Sequence, residues 1–153
     1  MNLRAVLFDA AGTLMELRES VGETYSRFAA RQQVVLPPDR LQDAFERYLN
    51  SAETVPHVGS SVEEVRATER SWWRDIVRGT FRAADGTARF QNFEDFFTEL
   101  YAYYGSGDAW SLRPGASLGL LALRRAEIRV GVVSNFDHRL PQILRDLQIL
   151  ELL

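Results

Sequence analysis

The chain has 153 residues, 46% hydrophobic and 25% charged, with a formal net charge of -3, which is the length and composition of one globular domain. That charge leaves no basic face for neutralising a phosphate backbone, so nucleic acid is excluded as the expected partner. No cysteine is present, which removes disulfides, thiolate nucleophiles and thiolate metal sites; with no signal peptide and no apolar run near the ~18 residues of a membrane span, a soluble, cytoplasmic chain without a membrane partner is expected.

In chain order, the first element is "LRAVLF" at 3–8, a nearly continuous apolar run of the kind that forms a parallel strand buried on both faces. It runs into Asp9 and then "AAGT", where Gly12 permits a tight turn and the small Ala10 and Ala11 leave room above the carboxylate. A carboxylate just past the carboxyl end of a parallel strand sits where open α/β sheets bind ligands. Thr13 adds a hydroxyl and an amide at the same place.

A long helical stretch follows. Val21, Tyr25, Phe28 and Ala29 recur at helical spacing, as do Leu41, Ala44, Phe45, Tyr48 and Leu49, the second set entered through Pro37 and Pro38. "SVEE" at 61–64 reads as a capping box, with Ser61 as N-cap and Glu64 reaching back, opening a helix that carries Val65, Trp72, Ile76 and Val77. Trp72 and Trp73 are adjacent and cannot share one face centre, so one is expected toward a neighbouring element or a cleft. Phe93, Phe96, Phe97, Leu100, Tyr101 and Tyr104 make the last stripe, and the four helices are expected to cover one another as a packed core. "TVPHVGSS" and "RAADGTAR" read as loops between them, and "YGSGDAWSLRPGA" at 104–116 as a hinge back to the first layer.

"IRVGVV" at 128–133 is a second parallel strand, followed by "SNFDHRL". Here Ser134 is expected to end the strand, Asp137 to cap the next helix and Pro141 to fall in its first turn. That would set Ser134 beside free helix amides that favour an anion. His57 is expected in a loop and His138 on a helix surface, neither catalytic.

Together "FDAAGTL" and "VGVVSN" resemble motifs I and II of the haloacid-dehalogenase-like hydrolase superfamily, and the intervening helices resemble its helical C1 cap of subfamily IA. "WWRDIV", "LRPGA" and "SNFDHRL" narrow the likeness to one branch of it. The resemblance implies an α/β fold, a partial Rossmann-like core of parallel strands (1–15 and 112–153) with an inserted helical cap and hinges (16–111). It also implies Asp9 as a nucleophile, Thr13, Ser134 and Asn135 as holders of the transferring phosphoryl group, and Mg²⁺ on Asp9 and the Ala11 carbonyl. Where the phosphatases carry a second aspartate as general acid and base, this chain has Ala11.

Two closer assignments within the superfamily, phosphonoacetaldehyde hydrolase and a magnesium-independent haloacid dehalogenase, each rely on a lysine, and all 18 basic residues here are arginine. A generic nucleotide-binding domain would need a glycine-rich loop where "DAAGTL" has one glycine. Motifs III and IV find no counterpart, and "LQILELL" stands where the next strand would come. The expectation is therefore an amino-terminal part of a hydrolase of small organic phosphates, inactive as it stands. The alternatives are a non-catalytic fragment or pseudoenzyme that binds an anion or a partner chain and, second, a magnesium-independent haloacid dehalogenase-like hydrolase. Self-association through an exposed core edge is expected in either case.

Overall fold

The computed structural model describes residues 3–53 and 61–153. The chain divides into two compact units, one of Met1–Arg18 with Tyr103–Leu153 and one of Glu19–Ala102. His57 and most of "TVPHVGSS" lie outside the described residues.

In the first unit, strand β1 (Ala5–Phe8) pairs in parallel with a strand that follows much later in the chain, Arg129–Val132, in the register Ala5↔Arg129 to Phe8↔Val132. A second, antiparallel pair joins β2 (Met15–Leu17) to β3 (Trp110–Leu112), with Met15 opposite Leu112 and Leu17 opposite Trp110. Glu16 and Arg113 close the same ribbon with an ion pair of 3.0 Å. The expected hinge at 104–116 thus contains a short 3-10 turn at Gly107–Ala109 and a strand.

Two short helices, α5 (Ala116–Arg125) and α6 (Leu140–Asp146), complete this unit. Their buried Leu120, Ile143 and Leu144 share one apolar cluster with Met15, Trp110, Phe8, Val130 and Val132. "LQILELL" is not a strand: Ile149 is buried in this cluster and Leu150–Leu152 forms a 3-10 turn.

Coverage of both faces of the parallel pair is not what is found. Phe8, Val130 and Val132 pack on the cluster, whereas Leu3, Leu7 and Val133 are 63%, 67% and 63% exposed. A continuous apolar run reports that a strand is compatible with two covers. Among the described residues, the elements that share the cluster cover only one face.

The second unit is built from α1 (Val21–Ala30), α2 (Pro38–Ser51), α3 (Val62–Ala84) and α4 (Phe93–Tyr104), the last two residues of α4 being counted with the first unit. A full capping box starts α1: the Glu23 N–H donates to Ser20 Oγ at 3.2 Å and the Ser20 N–H donates to Glu23 Oε2 at 2.8 Å. Those bonds, from the Ser20 hydroxyl first and its N–H second, hold the Glu23 carboxyl below its usual range. Ser61 caps α3 as expected, accepting from the Glu64 N–H at 3.2 Å. That helix runs to Ala84, so "RAADGTAR" is helical over its first three residues and turns only at Asp85. Alanine and arginine are good helix formers, and they carry the helix on.

Phe96, Phe97 and Leu100 are each 1% exposed, so the inner side of the α4 stripe is core. Phe81 of α3 meets Phe96 edge-on at 5.3 Å and stacks on Tyr25 of α1 at 5.9 Å, tying three helices together. Trp72 and Trp73 meet edge-to-face at 4.8 Å, and the Trp72 indole N–H donates to the Glu53 carbonyl at 2.8 Å.

Helices α1 and α2 meet tightly at Gly22. A Cβ there would lie 2.1 Å from the Pro38 carbonyl oxygen and 2.9 Å from Gln42. Alanine is the better helix former by roughly 1 kcal/mol, but the obstacle is backbone, and overpacking of this kind typically costs about 1–3 kcal/mol. Gly22→Ala is therefore expected to lower the thermal midpoint, against propensity. An unchanged or raised midpoint would show that the two helices separate there freely.

Candidate active site at two strand ends

Asp9 is the first residue past β1 and is exposed; its carboxylate makes no hydrogen bond or ion pair with any described residue. The chain then turns on one carbonyl. Ala10 O accepts from the N–H groups of Leu14 at 2.8 Å, Met15 at 3.1 Å and Thr13 at 3.3 Å, while the Gly12 N–H donates to Met15 O at 2.7 Å. Gly12 has φ +85°, a left-handed conformation that glycine adopts without strain. Ala10, Leu14 and Met15 are 0%, 2% and 0% exposed and anchor the turn from below. Ala11, Gly12 and Thr13 are left facing solvent, on the same stretch as Asp9.

The neighbouring strand, β4 (Arg129–Val132), ends level with β1. The Val133 N–H donates to Phe8 O at 2.9 Å, continuing the pairing one residue further, so Asp9 and Ser134 leave the same edge of one two-stranded sheet. Ser134 does not itself end the strand, which stops at Val132. Its Oγ accepts from the Phe136 N–H at 3.3 Å. Asn135 beside it is exposed.

Asp137 is not a helix cap. Its carboxylate accepts from the Arg139 backbone N–H at 3.1 Å, from Nε at 2.9 Å and from Nη2 at 2.6 Å, and the two side chains are only 7% and 11% exposed. An arginine fork matches a carboxylate in this bidentate way, and here it outcompetes the capping role. Helix α6 (Leu140–Asp146) therefore starts at Leu140 with Arg139 as N-cap, and Ser134 lies well before it rather than at its amides. Pro141 does fall in the first turn. His138 sits in the turn ahead of α6, not on a helix surface.

The β2–β3 ribbon has a part in the site that sequence periodicity did not reveal. Trp110 packs edge-on against Phe136 at 5.4 Å, and its indole N–H donates to the Tyr104 carbonyl at 3.1 Å. The loop carrying Ser134 and Asn135 is thereby braced from below. "DHR" at 137–139 was the available signal for the Asp137–Arg139 fork.

The arrangement offers an unpaired carboxylate, two hydroxyls and a free backbone carbonyl at one sheet edge. Asp9 and the Ala11 carbonyl are both hard oxygen donors, of the type magnesium takes alongside water.

A family model described as haloacid dehalogenase-like hydrolase matches residues 3–153. Haloacid dehalogenase-like hydrolase domain-containing protein 3 of Mus musculus is 34% identical over 152 residues, covering 99% of this chain and 59% of that protein. The Homo sapiens protein of the same name is 31% identical with the same coverage, and Rhythmically expressed gene 2 protein of Drosophila melanogaster is 25% identical, covering 95% and 58%. This chain thus spans 59% of the length of the mouse and human relatives. A crystal structure of a dehalogenase matches with a TM-score of 0.61 at 22% identity, over 99% of this chain and 60% of that one, a likeness of fold. With the strand, turn, four helices and returning parallel strand in place and the family match running from residue 3 to residue 153, the chain belongs to the haloacid dehalogenase-like hydrolase family.

Proposed function

We propose that this chain carries the nucleophile and part of the phosphoryl seat of a phosphomonoester hydrolase. The observation behind it is the unpaired Asp9 carboxylate, held past β1 by the Ala10–Met15 turn. An Asp9 oxygen bonds to phosphorus as the ester P–O bond breaks, and the electron pair leaves on the departing alkoxide. Water then attacks phosphorus, releasing inorganic phosphate and restoring the carboxylate. The hydroxyls of Thr13 and Ser134, with Asn135 adjacent, hold the phosphoryl oxygens. Asp9 and the Ala11 carbonyl would hold a magnesium ion, whose chemistry is neutralisation of charge on those oxygens.

The test joins residues 1–153 to the carboxyl-terminal portion of the mouse relative, adds an aryl phosphate and quenches in acid. A phosphoryl adduct on the peptide containing Asp9 is expected. Turnover with the adduct elsewhere would overturn the nucleophile, and no adduct and no turnover would favour the non-catalytic alternative. Turnover that persists in a chelator would favour the magnesium-independent, dehalogenase-like alternative, which Ala11 makes worth testing.

We also propose that the 153-residue chain self-associates, in the cytoplasm as in vitro, with a second copy over the open sheet face. Leu3, Leu7 and Val133 are more than half exposed there, beside strands with unpaired edges. Light scattering is expected to give dimers or larger species, and Leu7→Glu with Val133→Glu to shift them to monomers. A compact wild-type monomer would end this reading. No described helix is long and apolar enough to cross a membrane.

A further inference from the structure

Arginine is concentrated along one row of the helical unit. Arg66, Arg70, Arg74, Arg78 and Arg82 recur at every fourth position of α3, a spacing at which like charges face one another and repel. Helix α4 covers the middle of the row. Arg70 Nη2 donates to Thr98 Oγ1 at 2.9 Å and its guanidinium lies 4.9 Å from the Phe97 ring centre. Arg74 and Arg78 share Glu94 at 3.6 and 2.9 Å, and Arg78 lies over Phe93 at 4.5 Å. The two ends of the row, Arg66 and Arg82, form no hydrogen bond or ion pair with any described residue.

Arg82 instead lines a cavity of about 610 Å³, with Arg78 and Arg89 as further cations and Phe81, Phe90 and Phe93 as apolar wall. That is the size of a small-molecule site. Among its described lining residues the one acid is Asp85, which is committed to the local turn, accepting on Oδ1 from the Thr87 N–H at 2.8 Å and the Thr87 hydroxyl at 2.7 Å. Arg89 is fixed through Nη1 alone, to the carbonyls of Gly86 at 2.9 Å and Ala88 at 3.0 Å, which leaves its other N–H donors available. Three guanidiniums against Asp85, with Glu94 divided between two arginines, make a cationic pocket in a chain whose net charge is -3.

We propose that this cavity binds a phosphomonoester dianion carried on an aromatic body, the phosphate between Arg82 and Arg89 and the ring against Phe90 and Phe93. Guanidinium forks match phosphate oxygens in pairs, and the excess of cations suits a charge of roughly -2 better than a monocarboxylate. Every wall residue belongs to the helical unit, so binding there does not depend on Asp9.

The experiment titrates the full 153-residue chain with phenyl phosphate, inorganic phosphate and benzoate, following backbone amides and arginine Nε–H signals by NMR. Phenyl phosphate is expected to shift Gly86, Thr87 and Ala88 and the Arg82 and Arg89 side chains saturably. Inorganic phosphate and benzoate are each expected to bind at least ~10-fold more weakly there. Arg82→Gln and Arg89→Gln are expected to weaken binding by at least ~10-fold, and Arg82→Lys to fall between, with melting curves as a check of folding. Asp9→Asn should leave these shifts unchanged. Equal binding of inorganic phosphate would overturn the aromatic part, and equal or tighter benzoate binding the dianion. Wild-type affinity in both glutamine variants, or shifts confined to residues 9–15 and 133–136, would overturn the site itself.

Discussion

Asparagine in place of Asp9 is expected to bring hydrolysis of an aryl phosphate down to the uncatalysed background in residues 1–153 joined to the remaining portion of the mouse relative. The two side chains have the same shape, but the amide oxygen is a far poorer nucleophile and carries no charge, so no covalent intermediate forms and the step has no second route. The folded state should hardly notice. Asp9 is exposed and its carboxylate bonds to no described residue, and surface changes of that kind stay within roughly 0.5 kcal/mol. Phosphate release and a thermal melt, measured on the same samples, separate the two effects. Comparable turnover in both proteins would remove Asp9 from the mechanism, while a collapsed melting temperature would mean that it was structural after all.

The position of Asp9 was legible because two independent signals coincide there: a short apolar run ends on a carboxylate, and Gly12 follows at the spacing of a tight turn. The helical stripes were legible for a similar reason. Phe96, Phe97 and Leu100 repeat at a period long enough to see, and they are core. Strands β2 and β3 were not, since three residues each cannot display a period. Only their pairing across the chain makes them strands.

Competition between neighbours explains the errors near Ser134. Asp137 has the right chemistry for a cap, but Arg139 lies two residues on and claims both carboxylate oxygens. The residue type was informative and its partner was not chosen by type alone. Likewise, the apolar runs of β1 and β4 announce burial without saying what does the burying, and Leu7 remains open. The fourfold spacing of arginines on α3 lay in plain view. It took Glu94, Phe93 and Phe97 to show which of them are occupied and that Arg82 is not.

Aspartate in place of Ala11, in the same joined protein, is expected to raise turnover of alkyl phosphates by about 10²- to 10⁴-fold, the usual worth of a general acid. An alkoxide is a poor leaving group and must gain a proton as the P–O bond breaks, whereas a phenolate departs without much help. Aryl phosphates should therefore gain little from the same change. The site can take the new side chain. Ala11 faces solvent, and the neighbouring turn is held by the Ala10 carbonyl and the Gly12 N–H rather than by anything on the Ala11 side chain. A second carboxylate two residues from Asp9 also feels its charge, and like charge raises a carboxyl pKa, so the new aspartate is pushed toward the protonated form that a proton donor needs. The two substrates together make the test specific. A large gain on the alkyl ester and a small one on the aryl ester identify a phosphatase that has lost its acid, while equal gains on both, or none on either, would mean that alanine at this position serves a different reaction.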